Sequence, residues 1–280
     1  EFFQPAKVVL LASYTYENSR LLLLSKSKAF PNGLSNNHGQ VGRHYMSHGQ
    51  SASVTALFPF NINAWYGLPA QGVAVDNFAD DNFDHGATDY IGGGNLWVMS
   101  DRRPISGASM GTFGRTPSWG SEWKKFVMEN VDRTNSSYLQ KTTLPYDDNF
   151  LDLDPTVKDP LGFQVCRITA DFKDNERRVA LMAQERMTAW YKAAGAIATQ
   201  ANPIGTMGPT THAYGGTRMG RSAETNVVNE WGFSHEVPNL GVLGASVMGT
   251  SGARNPTLTV QALAWRTAEY LAKNWKNVTV

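Results

Sequence analysis

A single cysteine, Cys166, stands among the 280 residues, which excludes an internal disulfide and any metal site built from several thiolates. Its setting, Phe163-Gln164-Val165-Cys166-Arg167-Ile168-Thr169, reads as a strand position holding a small buried hydrophobe. Charge of one sign is also lacking, since 25 Lys and Arg against 24 Asp and Glu leave a formal net charge of +1. With no basic block, nothing draws the chain to nucleic acid or an anionic membrane, and a small or neutral partner is expected. No apolar run approaches the ~20 residues that cross a bilayer, so no direct membrane span is expected and any attachment runs through another subunit. Repeats, heptads and low-complexity tracts are absent. The opening Glu1-Phe2-Phe3-Gln4-Pro5 shows neither an initiator methionine nor a leader pattern, and the chain is expected to begin within a longer protein. Also missing is a strand running into Gly-x-Gly-x-x-Gly and a helix, the usual seat of a dinucleotide pyrophosphate. Gly92-Gly93-Gly94 lacks that spacing.

What remains is the composition of a folded globular protein, 41% hydrophobic and 18% charged. Residues 6–12 form a continuous apolar run of the buried parallel-strand type, followed by a polar turn at 14–19 and a helix over the leucines 21–24. Residues 32–48 are turn-rich and carry His38, His44 and His48. Their spacing fits no compact ligand pattern, so no metal is expected and they read as turn and surface histidines. From about 49 to 170 short alternating runs punctuated by Gly, Pro, Asn and Asp predict a mostly antiparallel sheet with long loops. Asp-Pro pairs at 154–155 and 159–160 bound two strand-like pieces there, read as a hairpin. Residues 174–195 are the best helix, capped by Asp174 or Asn175 and ended by Gly195, with a stripe of Val179, Met182, Ala183, Ala189, Trp190 and Ala193.

Residues 210–266 are where residue type, spacing and punctuation all point to chemistry. His212 precedes a turn containing Gly215 and Gly216, where backbone without a Cβ can approach a flat ligand. A short buried strand at 240–243 leads into Gly244, Ala245 and Ser246. Asn255-Pro256-Thr257 then has the form of a helix start, with Asn255 as cap and proline at the first helical position. The apolar positions of that helix are Leu258, Ala262, Leu263 and Trp265. A helix N-terminus carries unpaired N–H groups and about half a positive charge, which suits a ligand gaining negative charge. A histidine and an asparagine near it can share the hydroxyl of an alcohol, one taking its proton and the other orienting it.

His212 with Gly-Gly-Thr-Arg-Met-Gly at 215–220, Val-Val-Asn at 227–229, Pro-Asn-Leu at 238–240, Gly-Ala-Ser at 244–246 and Asn-Pro-Thr-Leu-Thr at 255–259 resembles the carboxy-terminal signature of the glucose–methanol–choline (GMC) flavoprotein oxidoreductases. Within that family the blocks look most like the gluconate 2-dehydrogenase flavoprotein group. The resemblance implies an α/β (α+β) fold: part of a Rossmann-like FAD-binding domain at 1–48, a mostly antiparallel β-sheet substrate domain backed by helices at 49–205, and a return to the FAD-binding domain at 206–280. It implies FAD as cofactor and hydride transfer from a sugar or sugar-acid carbon to the flavin N5, with His212 as general base and Asn255 as its partner. Gly244, Ala245 and Ser246 would then face the FAD pyrophosphate, and Pro256 and Thr257 the flavin pyrimidine ring. Further implied are an N-terminal FAD-binding portion of the same enzyme, missing from this sequence, a cytochrome c subunit and a small subunit. The location implied is the bacterial periplasm or the periplasmic face of the inner membrane, the cytoplasm being the alternative.

The chain departs from the family pattern in two places. Many members hold the histidine one residue nearer the Gly-Thr pair, at the position of Ala213, and many carry an aspartate where this chain has Gly-Ala-Ser. The competing readings are an oxidase of the same family that passes electrons to oxygen, and a non-enzymatic carbohydrate-binding or interaction module. The second is suggested by Trp65, Tyr66, Trp97, Trp119 and Trp123, which could stack on sugar rings but equally suit packing.

Overall fold

Residues 3–49, 52–63, 72–80, 82–99, 107 and 109–279 are described by the computed structural model; of the aromatics named above, Trp65 and Tyr66 lie outside them. The contacts divide the chain into two units, one of residues 1–49, 143–171 and 208–280, the other of 50–142 and 172–207. Residues 143–171, placed by the sequence reading in the middle interval, thus pack with both chain ends.

In the first unit the opening apolar run forms β1 (Val9–Leu11), and it pairs in parallel with a strand from the far end of the chain, β11 (Leu240–Val242), Leu10 opposite Gly241. β11 is buried throughout, but Val9 and Leu10 of β1 are each 45% exposed. The expected burial of this strand is therefore corrected. It has β11 on one side and no strand among the described residues on the other. Helix α1 (Tyr14–Leu24) starts at once, so the polar residues 14–19 are its first turns and not a separate turn. They tolerate the helix because their side chains find distant partners: Thr15 Oγ1 donates to the Ala213 carbonyl at 2.7 Å, and Asn18 Nδ2 to the Leu243 carbonyl at 3.0 Å. Leu22, Val41, Val227, Val228, Leu240, Val242 and Val247 form the core of this unit. Burying a side chain of that size contributes roughly 1.5–3 kcal/mol.

The remaining strands of the unit are two pairs. β2 (Met46–Ser47) runs antiparallel to β10 (Ala213–Tyr214). β7 (Phe150–Lys158) and β8 (Gln164–Thr169) make the expected hairpin, but only the second Asp-Pro pair is its turn. The first lies inside β7, where Asp154 Oδ1 accepts from the N–H groups of Thr156 and Val157 and the register shifts. Proline removes a ladder donor, so a bulge is the arrangement that accommodates it. Cys166, on β8, is half-buried and not fully enclosed, and burial pushes its thiol pKa up to about 11. It stays protonated and unreactive at neutral pH. Helix α4 (Thr257–Lys273) begins one residue later than expected, with Pro256 in the cap position and Asn255 outside it. Its apolar stripe is largely bare, Leu258 being 80% and Trp265 72% exposed.

The second unit holds a five-stranded antiparallel sheet in the order β4 (Gly72–Val75), β5 (Gly94–Met99), β6 (Thr134–Lys141), β3 (Ser53–Leu57), β9 (Ala198–Ala201). Short α2 (Gly120–Asn130) precedes β6, and the long α3 (Asp174–Ala193) packs on the sheet. The α3 cap is Lys173, whose N–H is taken by Glu176 at 3.1 Å. Its buried stripe is Val179, Ala180, Ala183, Met187 and Tyr191, while the expected Ala189 and Ala193 are exposed. Trp97 packs on Tyr138 with ring centroids 4.8 Å apart, and Trp119 is exposed. No described helix is long and apolar enough to cross a membrane.

Candidate active site

A two-residue ladder between segments far apart in the sequence creates the site. Ser47 pairs with Ala213 and Met46 with Tyr214, so the next residue outward on one strand, His48, meets the previous one on the other, His212. The His48 N–H donates to the His212 carbonyl at 3.3 Å. The imidazoles then lie edge to face, centroids 5.2 Å apart and planes at 89°, with Nδ1 of each ring 3.2 Å from Nδ1 of the other. His48 is buried and His212 half-buried. His48 Nε2 also reaches the Gly252 carbonyl oxygen, and Tyr214 Oη stands 2.9 Å from His48 Nε2 and 3.3 Å from its Nδ1. Burial pushes the His212 pKa below the usual histidine value and that of Tyr214 above the usual phenol value. Both are neutral at pH 7. His212 Nε2 makes no hydrogen bond among the described residues.

The start of α1 pins the approach to His212. Thr210 donates its N–H to Tyr16 Oη at 3.2 Å, and its carbonyl accepts from Tyr14 Oη. Thr210 Oγ1 in turn accepts from the His212 N–H at 3.2 Å. Tyr16 Oη is 2.9 Å from Tyr45 Oη. After the ladder, Gly215 and Gly216 take left-handed backbone, φ 75° and 86°. Their missing Cβ atoms serve the protein and not a flat ligand. A Cβ on Gly215 would lie 2.0 Å from the His44 carbonyl oxygen and one on Gly216 2.5 Å from Ser19 Oγ. Gly215→Ala should therefore lower stability by more than the ~1–2 kcal/mol that left-handed backbone alone costs an L-residue; an unchanged thermal unfolding midpoint would contradict the packing described.

The turn after β11 is built differently. Gly244 has φ 106° and open space where a Cβ would stand, and a single 3-10 turn, Ala245–Val247, follows. Asn18 ties this turn to the end of β1. Its Oδ1 accepts from Ser13 N–H at 2.9 Å, and its Nδ2 donates to Ser246 Oγ at 2.9 Å. The Ser246 side chain is thus turned inward. The N–H groups of Gly244, Ala245 and Ser246 donate to no acceptor among the described residues.

Asn255 is exposed and Pro256 buried, and no hydrogen bond joins Asn255 to either ring nitrogen of His212. The strand of chain leading to Asn255 is nonetheless anchored at the histidine pair through Gly252. Ser251 Oγ accepts from Thr143 N–H at 2.8 Å and donates to the Thr143 carbonyl at 3.0 Å.

Sequence reasoning missed His48, Tyr214 and Asn18. By sequence His48 reads as a turn or surface histidine, and no local spacing signals it, because its place follows from pairing with a segment far along the chain. Nearby, His44 is buried, with Nδ1 3.2 Å from both the Pro145 carbonyl and Asp147 Oδ1. Burial and the Arg218 charge hold its pKa low. It borders an open polar cleft of about 390 Å³ with His38, Gln40, Arg43 and Asp147.

A GMC oxidoreductase family model matches residues 145–264. A gluconate 2-dehydrogenase flavoprotein of Pantoea cypripedii is 34% identical over 98% of this chain and 46% of its own length. A fructose dehydrogenase large subunit of Gluconobacter japonicus is 30% identical over 97% of this chain and 48% of its own length. The chain thus spans about half the length of the curated relatives it matches. Among solved structures, a formate oxidase superposes with a TM-score of 0.59 at 12% identity, covering 97% of this chain and 55% of that one. At that identity the likeness is one of fold.

Proposed function

We propose that the chain, which a GMC oxidoreductase family model matches over residues 145–264, is the carboxy-terminal part of an FAD-dependent dehydrogenase of that family, oxidising a hydroxyl of a sugar or sugar acid. The observation that carries the reading is His212: half-buried, its pKa lowered by that burial, one ring nitrogen occupied by His48 and Nε2 without a hydrogen bond among the described residues. A neutral imidazole with a lone pair to spare is what removal of a hydroxyl proton requires. The family match speaks against a non-enzymatic binding module. The gluconate and fructose named for the two relatives are a sugar acid and a sugar.

The residues present fit the cofactor in part. Gly244, Ala245 and Ser246 offer three backbone N–H groups without acceptors among the described residues, beside a glycine whose Cβ direction is open, the kind of donor set that takes a pyrophosphate. The contact comes from backbone, since the Ser246 hydroxyl is held by Asn18. The first turn of α4, from Thr257 onward, supplies further N–H groups for an acceptor that gains negative charge, while Pro256, which has no N–H, contributes only its ring and carbonyl. When bound, FAD supplies the hydride acceptor. His212 Nε2 would take the hydroxyl proton while the hydrogen on the same carbon leaves with its bonding electrons as hydride, and Asn255 would orient the hydroxyl. Bare apolar positions at Val9, Leu10, Leu258 and Trp265 are accounted for if an N-terminal FAD-binding portion covers them. Onward electron transfer through a cytochrome c subunit, with a small subunit, at the periplasmic face of the inner membrane completes the reading.

The test is the visible spectrum of the full-length flavoprotein under anaerobic conditions before and after addition of aldoses, ketoses and aldonic acids. Bleaching of the flavin band by at least one of them is expected. A bound flavin that none of them reduces would overturn the sugar assignment. Reoxidation on admitting oxygen, at a rate matching turnover, would point to the oxidase instead.

A further inference from the structure

Two imidazoles facing nitrogen to nitrogen share one proton between two lone-pair positions, and the ring that holds it decides where the base lies. The structure settles this from the far side of His48. Its Nε2 faces the Gly252 carbonyl oxygen, and a carbonyl can only accept. Nε2 of His48 therefore carries hydrogen. A neutral His48 then has its lone pair at Nδ1, so the donor across the 3.2 Å contact is Nδ1 of His212. Tyr214 Oη does not compete for that lone pair. An oxygen within 2.9 and 3.3 Å of both nitrogens of one ring cannot lie along the in-plane direction of either, because those directions diverge.

We infer that His48, anchored on the Gly252 carbonyl, is a positioning residue that holds His212 in its Nδ1–H tautomer, so that Nε2 is the one basic nitrogen offered to a substrate hydroxyl. This rests on the reading of His212 as base. Without His48, the two neutral tautomers of His212 would be balanced only by solvent, and a share of the molecules would present a donor where a base is needed. Once His212 has taken the substrate proton, both its nitrogens are donors, and the His48 lone pair still accepts at Nδ1. The relay thus serves before and after proton transfer with no rearrangement. It also couples the base to the segment carrying Asn255, since Gly252 lies three residues before it.

The full-length flavoprotein with nitrogen-15-labelled histidine tests this by imidazole chemical shifts, read where both rings are neutral. His212 is expected to show a protonated Nδ1 and an unprotonated Nε2. His48→Ala should leave His212 as a tautomer mixture and slow anaerobic flavin reduction by about 10–100-fold, the scale for groups that orient a functional imidazole. His48→Asn, whose Oδ1 stands near the former Nδ1, should restore the tautomer and most of the rate. A wild-type His212 protonated on Nε2 would overturn the inference, as would a His48→Ala protein with flavin bound, tautomer and rate unchanged. If His48→Ala fails to fold, the wild-type spectrum and His48→Asn decide. Should His212→Ala leave flavin reduction intact, the base assignment fails while the tautomer measurement still stands or falls by itself.

Discussion

Alanine at position 212 of the full-length flavoprotein is expected to slow the reduction of bound flavin by substrate about 10²–10⁴-fold, the usual contribution of a positioned general base. Flavin content should hold, because the backbone groups at Gly244 to Ser246 do not involve the imidazole. The pH profile carries the sharper signature. Burial disfavours the imidazolium, so the His212 pKa lies below the ordinary value of about 6.5. A base acts only when unprotonated, and kcat/KM in the wild type should therefore fall as pH drops through that lowered value and level off above it. In His212→Ala that acid limb should vanish, and added imidazole should recover part of the rate. Stopped-flow traces at several pH values measure all of this. Reduction at the wild-type rate in the variant, flavin bound, would remove His212 from the chemistry.

Local signals carried much of the architecture. The apolar run at β1, the Gly-Ala-Ser turn after β11 and the long helix over 174–195 are visible because each obeys a short-range rule of periodicity or punctuation. The failures share one cause, which is that burial and register are set by partners distant in sequence. β1 reads as a fully buried strand by composition, but β11 is its one partner among the described strands, and Val9 and Leu10 stay half-open. The α3 stripe was displaced because steps of four from Ala183 to Met187 and Tyr191 follow the sheet surface, while Ala189 and Ala193 fall on the outer face. His48 is the clearest instance. Nothing within ten residues distinguishes it from His38, which is exposed, and the two-residue ladder to Ala213 and Tyr214 alone separates them. His212 and Gly244 to Ser246 were legible since glycine punctuation marks them locally, whereas Asn18 is an ordinary helical asparagine until Ser13 and Ser246 close around it.

Lys141→Met is expected to raise the stability of the protein near neutral pH, with the gain closing as the solution becomes alkaline. Lys141 ends β6 on the face shared with Leu139. Its Nζ is buried with no hydrogen-bond partner among the described residues and sits 3.2 Å from the centroid of the Phe172 ring. Burial is the main cause that drives its pKa from 10.5 down to about 7; the attraction of Glu176 opposes the change and the Arg177 charge adds to it. The unfolded chain therefore binds more protons than the folded one between pH 7 and 10.5. Over that window stability rises with pH, is complete above 10.5 and is lost as pH falls toward 7. At about 1.4 kcal/mol per pH unit the whole window amounts to on the order of 5 kcal/mol. The ring face offsets only part of this, a cation–π contact reaching about 2 kcal/mol when desolvated. Methionine matches the length of the lysine stem and has no charge to desolvate, so replacing it should lift the unfolding midpoint most at pH 6.5–7 and least near pH 10. Denaturant titrations of both proteins across that range measure the difference. Wild type and variant changing in parallel with pH would mean that Lys141 titrates as it does in water, and that water or the Glu176 carboxylate reaches its ammonium in the folded state.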